Sequence, residues 1–149
     1  MHFEEFLRKN SIWHNFRESH STRSAHEAAE STGVPFGSII KTLVFEAQDE
    51  VYLVIARAES KVSTKKLKHL LDISDTRLAS PEKVREATGY EAGAVPPLFF
   101  KSKLRIVMDE KVLDMQTAWA GGGLTNKIVE LRIADVMKYS EPILADVTD

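Results

Sequence analysis

The chain has 149 residues, of which 43% are hydrophobic and 28% charged, and its formal net charge is −2. This composition is typical of a soluble globular protein, and the length suits one compact domain over residues 1–149. The absence of cysteine excludes disulfides, thiolate catalysis and cysteine-ligated zinc. No secretion signal is present, and no apolar run approaches the roughly 20 residues that cross a bilayer, so we expect a cytoplasmic protein without a membrane partner.

The first elements in the chain are predicted to be two short helices separated by a strand. Aromatic and leucine residues at helical spacing predict a helix over residues 2–9, and residues 12–16 have the pattern of a strand or an extended segment. Ser24 and Glu27 have the spacing of a capping box, in which each side chain satisfies a backbone amide at the start of a helix. We expect this second helix to end at Gly33.

A β-hairpin is predicted next, from apolar runs at residues 39–45 and 51–56 around a polar loop at 46–50. Both faces of each run are largely apolar, which favours a covered sheet or a closed barrel. Alternation places Lys41 on one face with Ile39, Leu43 and Phe45. An unpaired ammonium there is costly, so the lysine either reaches the rim of the sheet, pairs with a carboxylate, or lines a pocket for an anionic ligand.

Two more helices are predicted in the middle of the chain. Ser63 is expected to cap a helix through Leu71, with leucines 67, 70 and 71 in one apolar stripe, and Pro81 begins a helix that ends at Gly89. Between residues 57 and 85 the chain has eight basic and four acidic residues, a local charge of +4. The basic side chains near the first of these helices are either simply solvated or contact phosphate groups of a nucleic acid. They are Lys61, Lys65, Lys66 and Lys68.

The last third of the chain is predicted to add three strands and one helix. The strands are expected at residues 104–109, 115–120 and 128–133, and the helix at residues 134–139. Strands mixed irregularly with short helices indicate an α+β domain. Asp109 and Glu110 have the pattern of a solvated turn, and the acidic segment 141–149 is expected to be a frayed, flexible tail.

Two glycine-containing loops are candidates for a site. Gly93 begins a Gly-Ala-Val-Pro-Pro segment, which is either an ordinary turn or a loop whose free amides hold a carbonyl oxygen or a water. Gly121, Gly122 and Gly123 match no phosphate-binding motif and favour a mobile hairpin turn. No metal or other cofactor is predicted, because none of the five histidines is paired at the spacing of a known metal site. A serine-hydrolase motif is also missing.

In combination, these segments resemble the YbaK/prolyl-tRNA-synthetase-associated family of aminoacyl-tRNA deacylases, also described as ProX-like. The resemblance runs over residues 24–133 and depends on the order and spacing of several segments. They are Ala28-Ala29 followed by Gly33-Val34-Pro35, the Ile39–Phe45 strand with its Lys-Thr-Leu-Val sequence, the helix from Ser63 to Leu71, the Thr88-Gly89-Tyr90 to Pro97 loop, the Ile106–Asp109 strand, and Trp119 to Gly123.

This resemblance implies a mixed, barrel-like β-sheet flanked by short helices, and a trans-editing enzyme that hydrolyses the ester of a small mischarged amino acid on tRNA without a metal. Lys41 matches the essential lysine and is expected to be an electrostatic anchor, while Gly93 matches the loop glycine near the scissile carbonyl. The chain departs from the family pattern at Ala94, where a second glycine is common, and at Leu98-Phe99; both changes are expected to narrow the pocket.

Substrate and partner predictions follow from the same resemblance. The partners implied are the 3′ acceptor end of an aminoacyl-tRNA, contacted in part by the four lysines, and an aminoacyl-tRNA synthetase. The alternative is a non-catalytic module that binds tRNA or aminoacyl-adenosine beside a synthetase. Residues before and beside Lys41, together with those of the glycine loops, are expected to bind the substrate. They are Phe16, His20, Thr42, Ala94, Gly121 and Gly122.

Overall fold

A computed structural model describes residues 1–149, which form five α-helices and eight β-strands. The helices are α1 (Phe3–Lys9), α2 (Ala25–Thr32), α3 (Thr64–Leu71), α4 (Pro81–Thr88) and α5 (Ile133–Ser140). The strands are β1 (His14–Glu18), β2 (Ile40–Ala47), β3 (Glu50–Arg57), β4 (Arg77–Leu78), β5 (Arg105–Asp109), β6 (Thr117–Gly121), β7 (Lys127–Arg132) and β8 (Ile143–Ala145). None of the helices has the length and apolar character needed to cross a membrane.

Serine caps fix where the helices begin, as the sequence predicts. The Ser24 hydroxyl accepts a hydrogen bond from the Glu27 amide at the start of α2. The Ser63 and Ser80 hydroxyls likewise accept from the Lys66 and Lys83 amides at the starts of α3 and α4. Glu27 does not complete the capping box, because its carboxylate accepts a hydrogen bond from the Ser21 hydroxyl. Left-handed glycines end α2 at Gly33 and α4 at Gly89.

The strands form two sheets that share one core. Five strands have the order β4-β2-β3-β5-β8, with β3, β5 and β8 parallel, and three strands have the antiparallel order β1-β7-β6. A bridge between Ile39 and Trp119 connects the two sheets. The main core lies between them, and a second cluster on the opposite face of the five-stranded sheet includes Leu67 of α3. Helices packed around mixed sheets confirm the α+β class.

The predicted hairpin forms between β2 and β3, but its loop is shorter than expected. Glu46 and Ala47 continue β2 and Glu50 begins β3. Glu46 is buried although it is acidic, because Arg77 and Lys83 lie 2.6 and 2.7 Å from its carboxylate oxygens. This cluster attaches β4 and α4 to the edge of β2.

Three other local predictions are corrected by the structure. The strand expected at 12–16 begins at His14, because the Ile12 amide donates to the Leu7 carbonyl and closes α1. In the expected leucine stripe of α3, Leu67 is fully buried, whereas Leu70 is 38% exposed because it lies beyond the edge of the core. Asp109 is fully buried and is not part of a solvated turn, since its carboxylate accepts the amides of Val147 and Lys111.

The segment 141–149 packs against the five-stranded sheet, which differs from the frayed tail that its composition predicts. β8 pairs in parallel with β5 along Ile143–Ala145. Val147 and Thr148 are both fully buried, Val147 in the cluster beneath α3. The segment is acidic, but hydrogen bonds from lysine side chains and a buried apolar residue hold it against the sheet.

Candidate active site

A cavity of about 560 Å³ opens between the edge of β2, the start of α2 and the loop after α4. Residues 40–44 of β2 all line this cavity, because β4 pairs only with Phe45 and Glu46 and leaves that edge of β2 without a neighbouring strand. The rest of the wall is mainly apolar and comes from several elements. It includes Ala28, Phe36, Leu78, Ala79, Val84, Val95, Ala120 and Ile128. Its size is within the range of roughly 300–1,000 Å³ that small-molecule sites have.

Lys41 lines the cavity and has no carboxylate partner. Its Nζ donates to the Ser60 carbonyl at 2.6 Å and approaches the Ala58 carbonyl at 3.4 Å. Both acceptors lie in the segment that follows β3. Burial lowers the pKa of the Lys41 ammonium from its ordinary value. An ammonium has three donors, so two carbonyl acceptors leave one hydrogen for a ligand. Of the three interpretations of this lysine, the structure excludes pairing with a carboxylate.

Gly93 also lines the cavity, in a tight turn that requires glycine. The Ala94 amide donates to the Glu91 carbonyl at 3.0 Å, and Gly93 has φ +86° at the third position, as in a type II turn. A Cβ at Gly93 would lie 2.7 Å from the Thr22 carbonyl oxygen, so the loop packs directly on the backbone before α2. The Gly93 amide donates to no acceptor of the protein.

The second glycine loop packs against the residues that directly follow Gly93. A Cβ at Gly121, the last residue of β6, would lie only 2.4 Å from the Val95 carbonyl oxygen. The Gly123 amide donates to the Ala94 carbonyl at 2.9 Å. Gly121 lines the cavity, whereas Ala94 is fully buried and Gly122 lies against Lys127. The glycines form close backbone contacts between two loops and are not simply a mobile turn.

Thr42 brings the one hydroxyl group of β2 to the cavity. It lies on the face of β2 opposite Lys41, and its Oγ1 is buried without a hydrogen-bond partner. Buried hydroxyls are normally paired, because an unpaired one costs free energy. Thr42 therefore joins Lys41 and Gly93 as a wall residue with an unmet capacity to bind a polar group.

Phe16 and His20, two of the expected substrate-binding residues, do not line the cavity. Phe16 belongs to the three-stranded sheet, where its ring packs edge-on against Phe3 at a centroid distance of 6.3 Å and lies under the Lys127 ammonium. His20 is exposed, and its backbone amide donates to the Ser31 hydroxyl. They precede Lys41 in sequence, but β1 pairs with β7 and not with β2.

The four lysines predicted to contact tRNA are also outside the cavity. Lys61 and Lys65 are exposed and Lys68 is half-buried. Lys66 has a structural role, since its Nζ donates to the Asp146 carboxylate at 2.9 Å and to the Thr148 carbonyl at 2.6 Å. Contact of Lys61, Lys65, Lys66 and Lys68 with phosphate stays a prediction.

Sequence reasoning missed the residues at the mouth of the cavity. Arg23, His26 and Phe36 all line it, and the His26 and Phe36 rings are stacked at a centroid distance of 4.1 Å. Nine residues lie between His26 and Phe36 in sequence, and no periodicity indicates that the turn after α2 brings the two rings together. Nowhere in the chain do three histidine, aspartate or glutamate side chains converge on a point that suits a metal ion.

Several known proteins are similar to this chain. The uncharacterized protein YwhH of Bacillus subtilis is 30% identical over 140 residues, which cover 93% of this chain and 87% of YwhH. The proline–tRNA ligase of Lactobacillus acidophilus is 34% identical over 98 residues, but these are 66% of this chain and only 17% of the ligase.

Solved structures agree with the fold over almost the whole chain. The hypothetical protein APE2540 has a TM-score of 0.86 and 28% identity, with 98% of each chain covered. A protein provisionally described as a trans-editing enzyme for prolyl tRNA synthetase has a TM-score of 0.80 and 31% identity, covering 91% of this chain and 87% of that one. The model of the aminoacyl-tRNA editing domain matches residues 19–139, which include Lys41 and both glycine loops. The resemblance seen in the sequence is thereby confirmed, and the chain belongs to the aminoacyl-tRNA editing domain family.

Proposed function

We propose that this protein is a trans-editing deacylase that hydrolyses the ester between a small mischarged amino acid and the 3′ end of a tRNA. The observation that carries the proposal is the Lys41 ammonium, which lines an apolar cavity without a carboxylate partner and with one hydrogen free. Family membership supports action on aminoacyl-tRNA. The similarity to a structure provisionally described as a trans-editing enzyme supports action on a tRNA that a synthetase has released.

The reaction needs few protein groups, because an aminoacyl ester is already activated. Water attacks the ester carbonyl carbon, the bond from that carbon to the ribose oxygen breaks, and the proton lost by the water goes to the ribose oxygen. Lys41 holds the substrate by donating to the ester carbonyl or to the phosphate of the terminal nucleotide. Negative charge that develops on the carbonyl oxygen is stabilised by donors that are already in place.

Gly93 is the second donor in this proposal. Its amide has no protein acceptor, and the turn and the contact with Thr22 fix its direction. Such an amide orients the attacking water or holds the oxyanion at no reorganisation cost. Neither residue serves as nucleophile or base, and the proposed reaction uses no metal.

The cavity wall favours a small, uncharged amino-acid side chain. Ile40, Val44, Val84 and Ile128 offer apolar surface and no charged partner for a long polar side chain. Synthetases discriminate poorly between small side chains, by only about 10- to 200-fold per methylene group. A separate hydrolytic site of this kind removes the resulting errors.

A deacylation screen over tRNAs charged with alanine, cysteine, serine, threonine and proline tests the proposal. We expect release of at least one of these amino acids, and we expect Lys41→Ala to lower kcat/KM by roughly 100- to 1,000-fold, the usual effect of removing one oxyanion donor. Lys9→Ala is the matched control, because it removes an exposed lysine at the end of α1, away from the cavity.

Two results would contradict the proposal. If Lys41→Ala hydrolyses every active substrate as fast as the unmodified protein, the assigned mechanism is wrong. Saturable binding of tRNA with no deacylation across the panel would instead identify a non-catalytic binding module.

A further inference from the structure

The mouth of the cavity has a pair of stacked rings to which the proposed chemistry assigns no role. His26 lies in the first turn of α2, and Phe36 lies in the short 3-10 turn after that helix. Their planes are inclined by only 11° at a centroid distance of 4.1 Å. Parallel stacking of this kind leaves the outer face of each ring free unless other groups cover it.

The outer face of His26 is open to solvent. His26 is exposed and Phe36 is half-buried, although both line the cavity. No side chain or backbone group of the protein forms a hydrogen bond with the His26 ring. The flat surface that remains can therefore receive a third ring from outside.

Residues next to each ring contact the segments that hold the proposed catalytic groups. On one side, a Cβ at Gly93 would lie 3.0 Å from the Cα of Arg23, three residues before His26. On the other side, Gly37, which follows Phe36, lies near the Glu59 carboxylate. Glu59 is flanked in sequence by Ala58 and Ser60, the two residues whose carbonyls accept from the Lys41 ammonium. Lys41, Gly93 and both rings line one cavity, so a ligand whose reactive group contacts Lys41 and Gly93 has the stacked rings in the same cavity.

We propose that the His26–Phe36 stack binds the terminal adenine of the tRNA. The inference depends on the proposed function, since it is the ester of that nucleotide that would lie between Lys41 and Gly93. Unpaired bases at RNA ends are commonly recognised by stacking on aromatic side chains, and a purine offers the largest flat surface.

Arg23 is the group that would contact the phosphate of the same nucleotide. Its side chain is 84% exposed, Arg23 lines the cavity, and its guanidinium has only a distant ion pair with Glu27 at 3.7 Å. A loosely held guanidinium is free to form bidentate hydrogen bonds with a phosphate group.

Titration with adenosine 5′-monophosphate, followed by NMR of the histidine ring protons, tests the stacking directly. This nucleotide is the terminal residue of tRNA without the amino acid. We expect an upfield ring-current shift of the His26 protons, and weaker binding of cytidine 5′-monophosphate and ribose 5-phosphate. His26→Ala is expected to weaken adenosine monophosphate binding by about 5- to 150-fold, the usual effect of losing one base-stacking residue.

Three further variants separate stacking from other causes. His26→Phe keeps an aromatic surface and is expected to retain binding, whereas His69→Ala removes an exposed histidine of α3 and is expected to change nothing. Arg23→Ala is expected to weaken binding of adenosine monophosphate but not of adenosine.

The outcomes distinguish this inference from the proposed function. If adenosine monophosphate leaves the His26 protons unshifted, or if His26→Ala binds it as well as the unmodified protein, the stacking site is refuted even where Lys41-dependent deacylation is found. If the His26 shift occurs and no aminoacyl-tRNA is hydrolysed, the adenine site stands and the proposed function fails.

Discussion

The C-terminal residues 146–149, here called the C-terminal clasp, hold the segment that positions Lys41. The Ser63 amide donates to the Val147 carbonyl at 2.8 Å, and the Asp149 amide donates to the Lys61 carbonyl at 2.9 Å. These contacts fix residues 61–63, which directly follow the Ser60 carbonyl that accepts the Lys41 ammonium. We therefore expect release of the clasp to displace Lys41 without any change in the cavity wall itself.

Asp109→Ala is expected to release the C-terminal clasp, because it removes the acceptor of the Val147 amide. The buried Asp109 carboxylate accepts the Val147 amide at 2.9 Å and the Lys111 amide at 3.3 Å. A hydrogen bond to a charged group contributes about 1.5–3 kcal/mol, so the loss of both costs about 3 kcal/mol or more. In a domain of this size, that loss lowers the Tm by roughly 10 °C and leaves the chain folded at 25 °C.

Deacylation is expected to fall further than stability alone explains. A displacement of about 1 Å at a positioning residue costs up to roughly 100-fold in rate, so we expect kcat at 25 °C to fall by about 10- to 100-fold. Hydrogen exchange at the Ser63 amide reports whether the clasp has opened. Val129→Ala is the control, because it removes a fully buried side chain from the other sheet at a similar cost of about 2 kcal/mol or more.

The comparison of Asp109→Ala with Val129→Ala shows whether the clasp positions Lys41. Both are expected to unfold at a lower temperature, but only Asp109→Ala is expected to lose turnover at 25 °C. If the Ser63 amide exchanges freely in Asp109→Ala and deacylation still equals that of the unmodified protein, the clasp does not position Lys41.

Three other substitutions test the cavity. Gly121→Ala places a Cβ 2.4 Å from the Val95 carbonyl oxygen and is expected to lower the Tm strongly. Gly37→Ala is expected to have little effect on the Tm, because no atom lies nearer than 3.8 Å to the added Cβ. Thermal unfolding measures both variants. Burial lowers the pKa of the Lys41 ammonium, so its charged form and the rate enhancement are expected to be lost as the pH rises through that lowered pKa. Lys41→Arg stays charged, and it is expected to move this loss to higher pH in a pH–rate profile. Thr42→Val removes a buried hydroxyl that has no partner, so it is expected to raise KM in deacylation assays without lowering the Tm.

Local signals in the sequence predicted most of the fold, because short-range interactions determine the features concerned. Ser24 and Ser63 cap helices through hydrogen bonds to amides three residues later, and Gly33 ends a helix in the left-handed conformation. The two-sided apolar pattern of β2 correctly indicated a sheet covered on both faces. For the candidate site, the same pattern identified Lys41 as out of place.

Features that depend on long-range pairing could not be predicted. The segment 141–149 has an acidic, tail-like composition, and its order comes from β5, Asp109 and lysines far away in sequence. Phe16 and His20 were placed near Lys41 by sequence order, but strand pairing carries them to the other sheet. The His26–Phe36 stack depends on a turn geometry that no residue pattern in the chain specifies.

Backbone groups form much of the candidate site, which explains why no single sequence motif identifies it. Carbonyl oxygens hold Lys41, the Gly93 amide has no acceptor in the protein, and the glycines at 93 and 121 are required because carbonyl groups approach to within 2.7 and 2.4 Å of where a Cβ would lie. Backbone groups place few demands on neighbouring side chains, so under the proposed function the wall residues are free to vary with the amino acid to be removed. Substrate preference in this protein should therefore change through Thr42 and the apolar wall, while Lys41 and the glycine loops stay fixed.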